Sequence, residues 1–235
     1  MFEDILFIIP ARGGSKGLPK KNVKLFLGKP LIHYSIEYAR LFTSDENICL
    51  TTDDENIILS AKEIGLEVSF LRPDYLADDT ANTFSVLQHA FNYYSEKYPN
   101  KFKALVLLQP TSPLREKYHF EEAIKLYNDK IEMVVSVCET KSNPYFTLFE
   151  EDTDGFLKIC KGDGIYTRRQ DAPITYEYNG SIYIINPTVL ATKTAFKEIT
   201  KKVKYVMDDY FAVDIDTLDD WDYAEFKYSK RNEKH

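Results

Sequence analysis

The residues best suited to chemistry lie in one loop near the start of the chain. An apolar run, Ile5–Ile9, has the length of a strand buried on both faces, and Pro10 ends it. Residues 10–22 then combine glycines with cations: Gly13, Gly14 and Gly17, and Arg12, Lys16, Lys20 and Lys21. Glycines leave backbone N–H groups open and cations attract negative charge, so the loop is suited to a polyphosphate. Open α/β sheets bind ligands at this position, after the end of a strand.

The same loop could be only a turn that carries surface lysines. It contains neither the Gly-x-x-x-x-Gly-Lys-Ser/Thr pattern of P-loop proteins nor the Gly-x-Gly-x-x-Gly pattern of dinucleotide-binding proteins. The sequence therefore favours phosphate binding but does not support a P-loop kinase or a dehydrogenase.

An acidic pair near the end of the chain is the second candidate. Asp214 and Asp216 are two residues apart in a strand-like run, so their side chains should point to the same face. Carboxylate oxygens are ligands that Mg²⁺ prefers, and Mg²⁺ often bridges to substrate phosphates. Alternatively, Asp216 or Thr217 caps the last helix and Asp214 pairs with a lysine. Other acidic pairs, such as Asp53-Asp54, weaken an argument from counting alone.

Further polar residues stand beside predicted strands and could contact a substrate. Arg72-Pro73 and residues 79–83 share one loop, where an arginine with hydroxyl and amide groups could recognise a base or a sugar. The alternative is a loop arginine and a helix cap from Asn82 or Thr83. Four other polar side chains could face a substrate or only satisfy local backbone groups: Gln109, Arg115, Arg169 and Asn179.

Composition restricts the partners and the compartment. The 235 residues are 44% hydrophobic, which is enough for one domain over 1–235, and the net charge is −7. An acidic chain does not favour a nucleic-acid partner, and cations concentrated in one loop favour a local anionic ligand. Three cysteines without a Cys-x-x-Cys pair predict no disulfide or zinc site, and a reducing cytoplasm. We expect neither a signal peptide nor a membrane span.

The elements that must position these residues alternate along the first 140 residues. Strands are predicted at 5–9, 47–52, 67–71, 104–108 and 133–138, and helices lie between them, including one near 118–128. This alternation predicts an α/β fold with a mainly parallel central sheet and helices on both faces. The strand ends then meet at one edge, where the site should be formed by the loops 10–22, 53–54, 72–83 and 109–115.

The pattern changes after Cys138. Residues 139–178 contain short alternating pieces, Tyr145–Phe149 and Phe156–Cys160, which predict an excursion of short antiparallel strands within the same domain. Exposed strand edges need a partner, and a second subunit would supply one. The chain then returns with strands predicted at 178–185 and 203–207, a helix over 218–229 and a frayed tail at 230–235.

Blocks of this sequence resemble the acylneuraminate cytidylyltransferases, the CMP-sialic acid synthetase family. They run in family order over nearly the whole chain, which makes them specific as a set. The blocks are residues 9–19 with Lys21-Asn22, Arg72-Pro73, Leu76-Ala77, Asp79-Thr80, residues 109–115, residues 179–183 and residues 214–217.

The resemblance implies a nucleotide-sugar transferase fold and a homodimer in which the excursion 139–178 contacts the partner. It implies that CTP and a nine-carbon 2-keto sugar acid yield a CMP-sugar and pyrophosphate, with Mg²⁺ as cofactor. The implied contacts are Arg12, Ser15 and Lys21 to the triphosphate, Gly13 to CTP, Asn22, Arg72, Ala81 and Asn82 to cytidine, Gln109, Arg169 and Asn179 to the sugar acid, and Asp214 and Asp216 to the metal.

Catalysis would then rest on Arg12 and Lys21, which offset charge on the leaving pyrophosphate, and on Asp214 or Asp216, which could also deprotonate the attacking hydroxyl. The pair Gly13-Gly14 is shared by bacterial members of the family that use several sugar acids. The substrate could therefore be N-acetylneuraminate, legionaminate or pseudaminate. An eight-carbon acid, another nucleotide such as GTP, or a non-catalytic sugar-nucleotide-binding protein on the same fold are alternatives.

Overall fold

The fold is built on a six-stranded sheet, seen in a computed structural model that describes residues 1–15, 17–78 and 81–231. In chain order the strands are β1 Ile5–Pro10, β2 Leu25–Phe26, β3 Lys29–Pro30, β4 Ile48–Thr51, β5 Ala104–Leu108, β6 Met133–Glu139, β7 Phe149–Glu151, β8 Leu157–Ile159, β9 Tyr176–Ile185 and β10 Lys202–Val206. The α-helices are α1 Leu31–Arg40, α2 Glu55–Glu63, α3 Thr83–Lys97, α4 Lys117–Ala123, α5 Pro187–Thr192 and α6 Leu218–Arg231.

The central sheet is mainly parallel, which confirms the predicted fold class. Its strand order is β10-β6-β9-β5-β1-β4. β1 pairs in parallel with β4 and β5, and β10 pairs in parallel with β6. β9 runs antiparallel between β5 and β6.

Helices cover both faces of this sheet because alternate side chains of the central strand point to opposite sides. Phe7 and Ile9 of β1 join a buried cluster with Ile36 of α1 and Phe120 of α4. Leu6 and Ile8 join a second cluster with Phe84 and Leu87 of α3, and with Val189 and Leu190 of α5. The two apolar faces of one strand thus account for the layers above and below it.

The predicted strand at 67–71 is wrong. This segment reaches the edge of β4 only at its end, through a single bridge between Thr52 and Leu71. Before that point the Ser69 carbonyl accepts a hydrogen bond from the Tyr93 hydroxyl, so its partner is a side chain and not the backbone of a neighbouring strand. The bridge is followed by a hydrogen bond from Arg72 N–H to the Thr52 carbonyl (2.7 Å), which fixes the start of the next loop.

Two helix predictions also change at their ends. The helix predicted near 118–128 is α4, which ends at Ala123 and is followed by a 3₁₀ turn, Ile124–Leu126. The last helix, α6, extends to Arg231. The predicted frayed tail at 230–235 is therefore wrong for residues 230 and 231. Residues 232–235 lie outside the described part of the chain.

The excursion forms a small antiparallel hairpin beyond the central sheet. β7 and β8 pair from Phe149 opposite Ile159, which confirms short antiparallel strands, although both begin later than predicted. The ends of β6 and β9 lead into it, with Glu139 opposite Tyr176. Division of residues 1–235 into one domain with a dimerisation excursion at 139–178 stays a prediction.

Among residues 1–15, 17–78 and 81–231, no helix has both the length and the apolar character needed to cross a membrane.

Candidate active site

A cavity of about 490 Å³ lies at the edge of the sheet where the predicted loops meet. Its walls come from described residues of the loops 10–22, 72–83 and 109–115, and from the acidic segment 214–216. The residues that line it are Pro10, Arg12, Ser15, Gly17, Lys21, Asn22, Arg72, Leu76, Asp78, Ala81, Thr83, Val86, Gln109, Pro110, Thr111, Asp214 and Asp216. The loop at 53–54 does not line this cavity, but Asp53 and Asp54 contact Gly13 of the glycine-rich loop.

Two glycines of the first loop allow close packing. A Cβ atom on Gly13 would lie 2.5 Å from Asp54 Oδ2, and one on Gly17 would lie 2.3 Å from the Asp216 carbonyl oxygen. The Gly13 N–H donates to Asp53 Oδ1 (3.1 Å), so it is not open to a ligand as the sequence suggested. These glycines therefore shape the loop and bring it against the acidic segment.

The cations of the loop separate into two groups. Arg12 and Lys21 line the cavity, whereas Lys20 is exposed and does not; Lys16 lies outside the described residues. Lys21 Nζ donates to Asp216 Oδ1 (2.8 Å) and to the Ile215 carbonyl (2.7 Å). Its side chain is 10% exposed and that of Asp216 is 72% exposed, so the buried ammonium is anchored beneath an accessible carboxylate.

The acidic pair faces one side, as its spacing predicts. Asp214 and Asp216 both line the cavity, and the residues between and before them, Ile215 and Val213, are buried. The segment is not a strand of the sheet, but Ile215 N–H donates to the Thr111 carbonyl (2.9 Å) and ties it to the loop after β5.

The structure shows which residue of this segment caps the helix and which one pairs with a lysine. Thr217 caps α6, because its hydroxyl accepts from Asp220 N–H (3.2 Å) and its own N–H donates to Asp220 Oδ2 (2.8 Å). The aspartate that pairs with a lysine is Asp216 rather than Asp214.

The protein environment raises the pKa of Asp214 above the ordinary aspartate value. Asp214 opens onto the cavity, yet the surrounding protein displaces enough water to disfavour its charged form. The negative charges of Asp216 and Asp220 add to this effect, while a hydrogen bond from Thr111 and the charge of Lys21 oppose it. A carboxylate with a raised pKa is a stronger proton acceptor.

The donor set at this edge fits a magnesium ion better than a zinc ion. Within the described ranges, no three or more His, Cys, Asp or Glu side chains gather in a metal-binding arrangement. Asp214 and Asp216 are a pair of oxygen donors that face one cavity. Mg²⁺ is commonly held by one or two carboxylates and takes its other ligands from water and phosphate.

The arginine of the second loop is fixed to the sheet. Arg72 is 4% exposed, and its guanidinium donates to Thr51 Oγ1 (3.2 Å) and to the Thr51 carbonyl. Burial lowers its pKa to about 10, an effect that the charge of Asp53 partly opposes. Arg72 therefore both connects its loop to the sheet through Thr51 and lines the cavity.

The other predicted nucleotide residues occupy different positions. Ala81 lines the cavity, and its N–H donates to Asp78 Oδ1 (2.7 Å). Asn22 also lines the cavity, and its side-chain amide holds the Arg12 carbonyl (3.0 Å). Asn82 caps α3 by accepting from Ser85 N–H (2.8 Å), and it is not among the lining residues. The structure thus supports the cap interpretation for Asn82.

Of the three residues predicted to face a sugar acid, Gln109 lines the cavity. Asn179 is buried within the sheet, where its Oδ1 accepts from Ser136 Oγ (2.6 Å) and Ser181 N–H (3.2 Å). Arg169 is exposed on the excursion and donates to the Thr140 carbonyl (3.2 Å). The structure therefore brings Gln109 into the cavity but neither Asn179 nor Arg169.

Arg115 satisfies local backbone groups, as the alternative interpretation held. It is buried and donates to the carbonyls of Ser112 (2.9 Å), Ser181 (3.2 Å) and Gln109, and to Ser35 Oγ (2.8 Å). Its burial lowers its pKa to about 10. One side chain thus connects the loop after β5 to β9 and α1.

A second cavity, of about 320 Å³, shares one residue with the first. Asp214 lines both cavities, and the second is also lined by Thr140, Lys141, Asp209 and Lys227, among others. The sequence did not single out this cavity or Thr111, since both depend on how distant segments pack. Asp214 therefore stands where the two cavities meet.

Residues 6–226 match the model of the protein family described as Cytidylyltransferase. N-acylneuraminate cytidylyltransferase of Escherichia coli O18:K1:H7 is 36% identical over 232 residues, which cover 97% of this chain and 53% of that protein. CMP-N,N'-diacetyllegionaminic acid synthase of Legionella pneumophila is 33% identical over 219 residues, which cover 92% of this chain and 93% of that protein. The chain thus spans about half the length of the first relative and most of the second.

Solved structures show the same fold. The structure of CMP:2-keto-3-deoxy-manno-octonic acid synthetase complexed with CTP superposes with a TM-score of 0.68 at 17% sequence identity. The match covers 97% of this chain and 99% of that one. At this identity the similarity establishes the architecture and no more.

Proposed function

Because the chain belongs to the cytidylyltransferase family, we propose that it transfers CMP from CTP to the anomeric hydroxyl of a nine-carbon 2-keto sugar acid, releasing pyrophosphate. The observation that carries this proposal is one cavity in which Arg12 and Lys21 face the acidic pair Asp214 and Asp216. Relatives named for sialic and legionaminic acids support the nine-carbon class.

On the nucleotide side, we assign Arg12, Ser15 and Lys21 to the triphosphate. These residues supply two positive charges and a hydroxyl on one wall of the cavity. Gly13 contributes through the shape of the loop, because its N–H is bound by Asp53. We assign cytidine to Asn22, Arg72 and Ala81, which line the same cavity, and to Asn82, which follows Ala81 in the chain.

The chemistry is a displacement at the α-phosphorus. The anomeric oxygen forms a bond to phosphorus, the bond from phosphorus to the bridging oxygen of the leaving pyrophosphate breaks, and the hydroxyl proton passes to a base. We assign that base to Asp214, which joins the two cavities and has a raised pKa. Arg12 and Lys21 then stabilise the negative charge that develops on the leaving group.

Asp214 and Asp216 are also the proposed ligands of Mg²⁺. When bound, the ion would supply positive charge to the phosphate oxygens. The ammonium of Lys21 occupies the position next to Asp216 and keeps this carboxylate at the edge of the cavity.

The sugar acid is assigned to the side of Gln109, next to the second cavity. Asn179 would act through the backbone of β9, because its side chain is hydrogen-bonded within the sheet. Arg169 lies on the excursion, so a contact from it to the sugar acid rests on the homodimer that we propose. Large apolar side chains of the excursion, such as Phe156 and Leu157, are exposed in the single chain, which supports such an interface. The free cysteines support a reducing cytoplasm as the compartment.

The test measures pyrophosphate release with a panel of acids and nucleotides. CTP is combined with N-acetylneuraminate, N,N'-diacetyllegionaminate, pseudaminate or an eight-carbon 2-keto acid, and each acid is repeated with ATP, GTP and UTP. We expect release with CTP and a nine-carbon acid, in the presence of Mg²⁺. Release that prefers the eight-carbon acid or another nucleotide, or no release with any acid, would refute the proposal.

A further inference from the structure

We propose that Gly180 is a positioning residue, whose missing side chain lets the Gln109 carboxamide and the Asp214 carboxyl converge above β9. This inference rests on the proposed function, which gives Gln109 and Asp214 their roles. A Cβ atom built on Gly180 would lie 2.6 Å from Gln109 Oε1 and 3.2 Å from Asp214 Oδ2. The first distance is shorter than any normal contact to a carbon atom, so the two polar groups occupy the space that a side chain would need.

The backbone at Gly180 cannot easily move to make room. It has a φ of +70°, and it lies where the pairing of β9 with β6 shifts register between Val135 and Val137. This is the left-handed conformation that a bulge commonly assigns to glycine.

Hydrogen bonds hold the chain on both sides of that residue. The Asn179 side chain is bound by Ser136 Oγ (2.6 Å), and the Ser181 carbonyl is bound by the buried Arg115 (3.2 Å). Ile182 N–H donates to the same Ser136 hydroxyl (2.8 Å). A side chain at position 180 must therefore displace Gln109 and Asp214 rather than the strand.

The displacement would affect one half of the reaction. Among the described atoms, the three nearest to the added Cβ belong to Gln109 and Asp214, and none belongs to the cations or to Arg72. Moving Gln109 should weaken the binding of the sugar acid, and moving Asp214 should slow proton transfer. The affinity for CTP in the absence of Mg²⁺, which depends on the cations and Arg72 rather than on Asp214 as a metal ligand, should stay the same.

A matched pair of variants separates this effect from backbone strain. Gly28 has a φ of +84°, and a Cβ there would meet no described atom within 4 Å. Gly28→Ala and Gly180→Ala therefore impose the same left-handed conformation on alanine, but only the second forces a collision. We expect kcat/KM to fall about 100-fold in Gly180→Ala, with a raised KM for the sugar acid. CTP affinity measured by calorimetry without Mg²⁺ should be unchanged, and Gly28→Ala should keep normal kinetics.

Two further measurements keep the inference distinct from the proposed function. In a Gln109→Ala background, Gly180→Ala should lower kcat/KM much less than it does alone, because the closest colliding atom is gone. A crystal structure of Gly180→Ala should show Gln109 or Asp214 displaced. Undisplaced side chains would overturn the inference. Displaced side chains with unchanged turnover would support the positioning and overturn the roles that the proposed function gives to the two residues.

Discussion

The negative charges of the two cavity aspartates, Asp214 and Asp216, should have opposite effects on the stability of the fold. Asp214 has a raised pKa because its surroundings disfavour the charge, so its ionised form costs free energy in the folded state. Asp216 is accessible and receives a hydrogen bond from the buried ammonium of Lys21, so its charge has a compensating partner. The same substitution at each position should therefore move stability in opposite directions.

Asp214→Asn should raise the melting temperature at pH 7. A carboxyl whose pKa is higher in the folded than in the unfolded chain lowers stability as it ionises, and this cost is absent below the ordinary value of 3.8. The gain should therefore be full at neutral pH and shrink as the pH falls toward about 4. Melting curves of both proteins across this range check the trend, and a lower melting temperature at pH 7 would contradict it.

Asp216→Asn is the matched comparison. It removes the charge opposite Lys21 while keeping an oxygen acceptor, and should lower stability by up to about 1 kcal/mol. Urea unfolding measures this difference. Stabilisation by Asp216→Asn would show that the ion pair does not contribute.

Arg12→Ala should lower turnover by about 10²- to 10³-fold, because it removes a charge that we assign to the leaving pyrophosphate. Lys20→Ala is the control, since Lys20 belongs to the same loop but is exposed and does not line the cavity. Circular dichroism should show that both variants fold. Equal activity of the two variants would remove Arg12 from the mechanism.

Spacing along the chain identified some residues of the site and could not identify others. The two-residue period of Asp214 and Asp216 was sufficient to place them on one face. The hydrogen bond from Gly13 to Asp53, and the one that holds the acidic segment to Thr111, join residues far apart in sequence. Asn179 is a polar residue of the kind expected in a binding site, yet its side chain is hydrogen-bonded to a neighbouring strand of the sheet.

At the scale of elements, the start of α3 tests whether a helix cap also binds the nucleotide. Asn82→Ala should lower the free energy of unfolding by about 1 kcal/mol, as should Asn186→Ala, which removes the cap of α5 outside the cavity lining. Asn82→Asp keeps the capping oxygen and should keep stability. If the amide contacts cytidine as proposed, Asn82→Asp should still weaken CTP binding in calorimetry. Unchanged CTP affinity would leave Asn82 with the cap alone.

Most strands were predictable because apolar runs of strand length alternate with helical patterns. The error at 67–71 arose because a short alternating piece resembles a strand whether or not a neighbour pairs with it. The direction of β9 was not predictable from its residues. It follows from the excursion, which begins at Glu139 of β6 and ends opposite it at Tyr176, so that the chain returns antiparallel.

At the scale of the whole molecule, the excursion should join two copies of the chain. Phe156 is 70% exposed and Leu157 is 69% exposed, although both are apolar. Replacing both with aspartate should convert a dimer to a monomer, because buried charge opposes association. Light scattering after gel filtration measures the mass. Phe226→Asp, at an exposed apolar residue of α6, is the control and should leave the dimer intact. A monomeric unmodified chain would refute the dimer.

The central claim is that the α-phosphate of CTP reaches the sugar acid. The most direct test supplies CTP labelled with ³²P at either the α- or the γ-phosphate, together with the acid of the panel that reacts. The account predicts the α-label in a product that contains the sugar acid and the γ-label in pyrophosphate. Transfer of the γ-label to the acid, or an α-label that never joins the acid, would contradict it.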